Sequence, residues 1–236
     1  FYYNDPHRTI ANNSAVYENK PSNEEFLDEW VALIKSGSGE RGIFNRGNLI
    51  NTLPERRLDL FKEKKLIMGD HVVGSIGTNP CAEIILQSKQ FCNLTEVVVR
   101  AEDTEATLLR KIRLATILGT YQSTLTKMGY LSKAWKTNCE RERLLGVSVT
   151  GQWDAKIARD PKVLKKLKAL CLKTNFEYAD RFGVHHSTCI TCVKPSGTVS
   201  QTVDCASGMH PRHAPFYIRR VRISATDSLF KMLKDQ

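Results

Sequence analysis

The stretch richest in chemistry is Asn79-Pro80-Cys81-Ala82-Glu83. Gly74, Gly77 and Pro80 make the chain irregular on approach, which predicts a loop for Cys81. Residues two apart on such a loop project toward one side, so a thiol, a carboxylate and an amide converge on a small volume. The carboxylate can accept a proton, the amide can hold a hydroxyl, and the thiol can exchange an electron or a hydrogen atom. A second cysteine, Cys92, follows eleven positions later in Phe91-Cys92-Asn93-Leu94. The competing reading is a loop cysteine packed for structure, and residue types alone leave both open.

Three further motifs carry chemical possibilities. Pro195-Ser196-Gly197-Thr198-Val199-Ser200 offers a glycine for close backbone approach and hydroxyls beside free N–H groups, the makings of an anion nest or of a plain capped turn. Cys189-Ile190-Thr191-Cys192 is a CxxC with His185 and His186 just upstream. A zinc site needs a second ligand pair at matching spacing, and no second CxxC exists, so core packing is the expectation and no metal ligands are assigned. Gly37-Ser38-Gly39-Glu40-Arg41-Gly42 matches a dinucleotide fingerprint in letters only. A helix precedes it where a strand is required, so a helix stop and turn is the better reading.

These motifs hang on alternating elements. Ser22 with Glu25 forms a capping box for a helix through Lys35, with Phe26, Trp30, Leu33 and Ile34 on one face. Pro54–Glu63 reads as a short helix with Leu58 and Phe61 inward. Asp103 or Thr104 caps a long helix to about Lys127, with a stripe of Leu108, Ile112, Ala115, Leu118, Gln122 and Leu125. Pro161 opens another that runs through Leu164, Leu167, Cys171 and Tyr178 to a stop at Gly183. Strands are expected at Ile84–Leu86, Glu96–Val99, Leu144–Thr150, Thr188–Val193 and Phe216–Ser224. Strands alternating with long helices predict an α/β architecture with parallel strands, whose sites lie at the strands' carboxyl ends.

Composition narrows the class. In 236 residues, 35 Lys and Arg stand against 25 Asp and Glu, a net charge of +10, with 41% hydrophobic residues. That is too apolar for a disordered chain, and no apolar run reaches membrane-spanning length. The excess charge calls for anionic partners without choosing between nucleic acid, nucleotide and acidic protein. Seven cysteines, an odd number, argue against a secreted disulfide scaffold and for a reducing, cytoplasmic compartment. The chain opens on Phe1 and stops inside a helical pattern, so it reads as an internal segment of a longer protein.

Taken in order, N-P-C-A-E at 79–83, C-N-L-T-E at 92–96, R-L-L-G-V-S-V-T-G at 143–151, K-P-S-G-T-V-S at 194–200, S-G-M-H-P at 207–211 and Y-I-R-R-V-R at 217–222 resemble a known family. The chain is similar to the adenosylcobalamin-dependent ribonucleoside-triphosphate reductases, the monomeric class II ribonucleotide reductases. The resemblance runs from Asn12 onward. It implies a ten-stranded α/β barrel with a finger loop through its centre, of which residues 1–236 are a partial catalytic domain. It implies reduction of ribonucleoside triphosphates to deoxyribonucleoside triphosphates by a thiyl-radical mechanism, with adenosylcobalamin as cofactor and a thioredoxin-like reductant. By the same resemblance Cys81 is the radical residue that takes the 3′ hydrogen, Glu83 the base on the 3′ hydroxyl, and Asn79 an orienting amide. Cys92 is half of the redox pair, and Ser196, Gly197, Thr198, Val199 and Ser200 cradle the substrate phosphates.

The departures from the family pattern are specific. Ala82 stands where many relatives carry glycine, and no cysteine precedes Cys81, so the expected partner of Cys92 lies outside the chain. The region for a deoxynucleotide effector is expected upstream, and most cobalamin contacts and the shuttling cysteines downstream, so the segment is expected not to turn over alone. Two rival readings remain. One is a diphosphate-reducing reductase of another class. The other is a basic nucleic-acid-binding module, which the spread of basic residues along 162–173 disfavours, leaving only Arg219, Arg220 and Arg222 clustered.

Overall fold

A computed structural model describes residues 13–37, 41–69, 71–72, 75–218 and 223–235. Residues 38–40 of the glycine-rich stretch, Gly74, Asn12 and positions 219–222 of the last expected strand lie outside the described residues. The architecture is α/β.

The part that carries the candidate residues is built on β7 (Asn93–Val98) and β8 (Leu145–Thr150), which pair in parallel from Asn93↔Leu145 to Val98↔Thr150. Parallel partners need a crossover, and α3 (Glu105–Gln122) and α4 (Lys133–Glu142) supply it. From β8 the chain returns through α5 (Pro161–Phe182) to a parallel bridge between Val147 and Thr191. The bonds Leu145 N–H to Cys189 O (3.0 Å), Val147 N–H to Ile190 O (2.9 Å) and Cys192 N–H to Val147 O (3.1 Å) extend that bridge. The run expected as a strand over 188–193 thus lies along β8 but keeps only one regular bridge. Five of the six residues of β8 are buried, as a strand covered on both sides should be. Its core joins Val97, Leu108, Ile112, Val147, Leu167 and Ile190. Each such side chain taken fully out of water contributes roughly 1.5–3 kcal/mol.

The first third of the chain holds β1 (Asn13–Tyr17) parallel to β2 (Arg41–Asn45), then α2 (Glu55–Glu63), then two antiparallel pairs: β3 (Ile67–Met68) with β4 (His71–Val72), and β5 (Ile76–Thr78) with β6 (Ile85–Gln87). Phe61, Val72, Ile76 and Leu49 form a smaller second core. Among the described residues the strands pair two by two. The first helix, α1 (Asn23–Ser36), has the expected Ser22–Glu25 capping box and ends on Gly37 in the left-handed conformation, which makes that glycine a helix stop. Its apolar face stays largely exposed, with Ile34 at 62%.

The long helix departs from expectation in two ways. It ends at Gln122 rather than near Lys127, because the Ser123 and Thr124 hydroxyls bond the carbonyls of Thr120 and Tyr121 and the chain turns off in tight i→i+3 bonds. The buried stripe is also different: Leu118 and Leu125 are exposed, whereas Thr116, Gly119 and Thr120 are buried. Thr116 and Thr120 donate their hydroxyls back to Ile112 O and Thr116 O (both 2.8 Å), so their methyls serve as apolar surface. In α2 the fully buried residues are Phe61 and Arg57, while Leu58 is half-buried. The final helix, α7 (Ser228–Lys234), and the short α6 (Thr198–Thr202) complete the set. No helix among the described residues is long and apolar enough to cross a membrane.

Candidate active site

Cys81 sits at the tip of a β-hairpin. β5 and β6 pair through Ile76↔Gln87, Gly77↔Leu86 and Thr78↔Ile85, and residues 79–84 close the end. Three bonds shape that end: Asn79 N–H to Ile84 O (3.1 Å), Ala82 N–H to Asn79 O (2.9 Å) and Ile84 N–H to the Asn79 side-chain oxygen (3.0 Å). Asn79 therefore has a structural role, its side-chain oxygen closing the turn. Ala82 is held at φ 63°, in the left-handed region, where a side chain costs roughly 1–2 kcal/mol. This is the physical meaning of the alanine-for-glycine departure.

The turn separates its two reactive groups by depth. All seven cysteines are described, and Cys81 alone is exposed. The Glu83 side chain, two residues on, is only 6% exposed. Lys194 Nζ donates to Glu83 Oε1 at 3.1 Å, while Glu83 Oε2 is buried with no hydrogen-bond partner among the described residues. Burial works against the Lys194 ammonium, but the Glu83 carboxylate more than offsets it, and Cys81 and Cys192 add to the effect, so Lys194 lies above its ordinary pKa.

Cys92 directly precedes β7 and faces the same region. Glu83, Cys92, Cys189 and Cys192 line one cavity of about 480 Å³, whose mouth also carries Arg56 and Lys168. A Cβ on Gly146 would stand 3.0 Å from Cys192 Sγ and 3.3 Å from Cys92 Sγ, so both sulfurs overhang the one residue of β8 that leaves them room. Burial pushes the Cys92 thiol far up, with Cys192 and Cys189 adding to it. Burial and the nearby Glu83 raise Cys192 to about 12. Both are held as neutral thiols at ordinary pH.

The two cysteines of the CxxC and the nearby His186 have separate surroundings. Cys189 Sγ lies 3.9 Å from Arg57 Nη1 and Cys192 turns to Gly146, while His186 pairs with Asp180 (2.7 Å) and stacks on Phe176. Among the described residues no three His, Cys, Asp or Glu are grouped to hold a metal.

The turn at 195–200 is mostly bonded within the protein. Ser196 is buried, and its hydroxyl bonds Glu96 and Thr150. The Ser196 and Gly197 N–H groups donate to Ser207 Oγ (3.0 and 3.2 Å), and the Ser200 hydroxyl donates to Gly197 O (2.7 Å). Gly197, at φ 52° and ψ −118°, occupies a region open only to glycine. What the turn leaves exposed is Gly197, Thr198 and Val199.

Beneath the hairpin lies a feature that the motifs do not announce. Arg57 of α2 and Glu142 of α4 form a buried ion pair, Nε to Oε2 at 2.6 Å, with both side chains at most 2% exposed. Arg57 Nη2 also donates to Ile85 O (2.8 Å) in the hairpin. Glu142 accepts from Gln87, from Gln90 (2.9 Å) and from Thr188 (2.8 Å). One carboxylate thus ties together the hairpin, the loop to Cys92 and the run ending at Cys192.

No family model matches the chain. It is 28% identical to the adenosylcobalamin-dependent ribonucleoside-triphosphate reductase of Lactobacillus acidophilus over 262 residues, which cover 97% of this chain and 33% of that protein. The enzymes of the same description from Lactobacillus helveticus and Lactobacillus leichmannii match at 27% and 26%, with the same coverage. The chain spans about a third of the length of the curated relatives it matches. Among solved structures, a B12-dependent class II ribonucleotide reductase aligns with 60% of this chain and 24% of its own at 26% identity, with a TM-score of 0.49. Across nearly its whole length, this chain is similar to adenosylcobalamin-dependent ribonucleoside-triphosphate reductases.

Proposed function

We propose that this chain carries the radical and base residues of a ribonucleotide reductase that converts ribonucleoside triphosphates to deoxyribonucleoside triphosphates for DNA synthesis. The observation that carries the reading is the hairpin itself: an exposed Cys81 thiol stands at its tip over a buried Glu83 with one free oxygen. Ordered similarity over 97% of the chain supports it. In this reading the hairpin is the finger of a ten-stranded α/β barrel, and the strand pairs described above are parts of its wall. Residues 1–236 are then a partial catalytic domain, with effector and C-terminal cysteine regions elsewhere in a cytoplasmic protein.

The chemistry follows from the side chains. Cys81, as a thiyl radical, removes the 3′ hydrogen of the ribose. Glu83 Oε2 takes the 3′ hydroxyl proton, and the Asn79 amide orients the sugar. The 2′ hydroxyl leaves as water, two electrons and two protons come from two thiols that end as a disulfide, Cys92 supplying one sulfur, and Cys81 returns the hydrogen to the 3′ carbon. The balance is ribonucleotide plus two thiols to deoxyribonucleotide, water and disulfide. Radical generation is the one step that no side chain here performs; bound adenosylcobalamin would supply that chemistry through its weak cobalt–carbon bond. The exposed thiol fits such a bulky group, since Cys81 Sγ faces outward while its catalytic neighbour is shielded. The 195–200 turn receives the phosphates at its open Thr198 end, and a thioredoxin-like dithiol restores the pair.

The test is product formation by the full-length protein given a nucleoside triphosphate, adenosylcobalamin and a dithiol. Deoxynucleoside triphosphate is expected with the wild type and a single equivalent or less with Cys92→Ser. Turnover of the diphosphate alone, or none without a separate radical protein, would overturn the triphosphate, cobalamin-dependent reading.

A further inference from the structure

Lys194 lies outside every role assigned above, yet among the described residues its side chain is the one bonded to the carboxylate of the proposed base. Its backbone is pinned on both sides. Cys192 N–H bonds Val147 O two residues before it, and Gly208 packs so closely on Lys194 O that a Cβ there would stand at 2.6 Å. From that fixed origin the side chain, 27% exposed, crosses to a hairpin 111 positions earlier and donates to Glu83 Oε1 at 3.1 Å. The bond uses one carboxylate oxygen and restrains where the group can sit. The other oxygen, Oε2, is left buried and unpartnered on a side chain that lines the cavity. A buried acceptor left open costs about 1–3 kcal/mol, which a ligand hydroxyl donating to it would offset.

We infer that Lys194 is a positioning residue: it holds Glu83 in the rotamer that turns Oε2 toward the hydroxyl of a bound sugar. This rests on the reading of Glu83 as the base. Lys194 acts through Glu83 and touches neither the reacting atoms nor the phosphates. Loss of such a hold lets the carboxylate swing by an ångström or more, which costs about 10²-fold in rate.

The test is a kinetic comparison in the full-length enzyme of Lys194→Met, Lys194→Arg, Glu83→Gln and the double variant Glu83→Gln/Lys194→Met. Thermal melting certifies the fold, and Lys194→Gln replaces the methionine variant if that one melts early. Lys194→Met should lower kcat at least about 30-fold with nucleotide Kd within about threefold, and Lys194→Arg should recover most of the loss. The double variant should be no slower than Glu83→Gln alone, because both act at one group. Unchanged kcat, a loss confined to KM, or a double variant slower by the product of the two effects would overturn the inference. If Glu83→Gln itself keeps wild-type kcat, the functional reading fails instead. If Glu83→Gln is dead and Lys194→Met is fast, only the role of Lys194 fails.

Discussion

Replacing Glu142 by alanine should loosen the hairpin that carries Cys81. The side chain is fully buried and neutralises Arg57, itself 1% exposed. Removing it strands a guanidinium in the interior, a loss of about 3–5 kcal/mol when one member of a buried pair is deleted. Gln87, Gln90 and Thr188 lose their acceptor in the same stroke, so the upper half of that range is expected. A protein's whole stability is about 5–15 kcal/mol, so the effect is large. Because Arg57 also holds Ile85 O, the loss falls on β5 and β6 first. At about 1.4 kcal/mol per decade, the Ile84 and Asn79 amides should exchange with deuterium at least about 10²-fold faster in Glu142→Ala than in wild type. Glu142→Gln, which keeps the shape and one acceptor, should fall between. Arg57→Met with Glu142→Leu should recover only the part of the protection that the stranded charge costs, since Gln87, Gln90, Thr188 and Ile85 O still lack their partners. Exchange less than tenfold faster in Glu142→Ala would refute the view that this pair anchors the hairpin.

Other expectations follow from the same geometry. Ala82→Gly should be tolerated with activity near wild type, whereas Ala82→Val, a β-branched residue at positive φ, should cost more than about 1 kcal/mol locally and most of the activity, read by steady-state rates. Alkylation with iodoacetamide at neutral pH, followed by peptide mass mapping, should label Cys81 first. Cys92 and Cys192, whose thiols burial holds protonated, should label slowly. Their rates should rise about tenfold per pH unit as the thiolate fraction grows toward the raised pKa. Gly146→Ala should displace Leu94, 2.4 Å from the new Cβ, along with both sulfurs, and should lower multiple-turnover activity while leaving nucleotide binding intact.

Much of the molecule was legible before any coordinates, and for identifiable reasons. Caps announce themselves: Ser22 with Glu25, Thr104, Pro161 and Gly183 sit where expected because each satisfies a helix end by local chemistry. The loop position of Cys81 agrees with Pro80 beside it, whereas Gly77, expected to make the approach irregular, pairs with Leu86 inside β5. The buried face of α3 was misread because periodicity counts apolar letters, whereas Thr116 and Thr120 hide their hydroxyls against their own helix. The Arg57–Glu142 pair was invisible for a different reason. Its members are 85 positions apart, and nothing local marks a charge as buried. Nothing local in its motif marks Lys194, since its meaning lies in a contact across the fold with Glu83. The seat of Cys192 over Gly146, beside Cys92, is not legible from the CxxC spacing, because β8 and the loop before β7 are distant in sequence.

The central claim is that Cys81 is the atom at which hydrogen leaves the substrate. It is tested most directly by incubating full-length Cys81→Ser with a 3′-tritiated nucleoside triphosphate, adenosylcobalamin and a dithiol, and measuring tritium released to water beside nucleotide Kd. The account predicts no release and no deoxynucleotide, with Kd within about threefold of wild type. Tritium release by the serine variant at a rate near that of the wild type would contradict it.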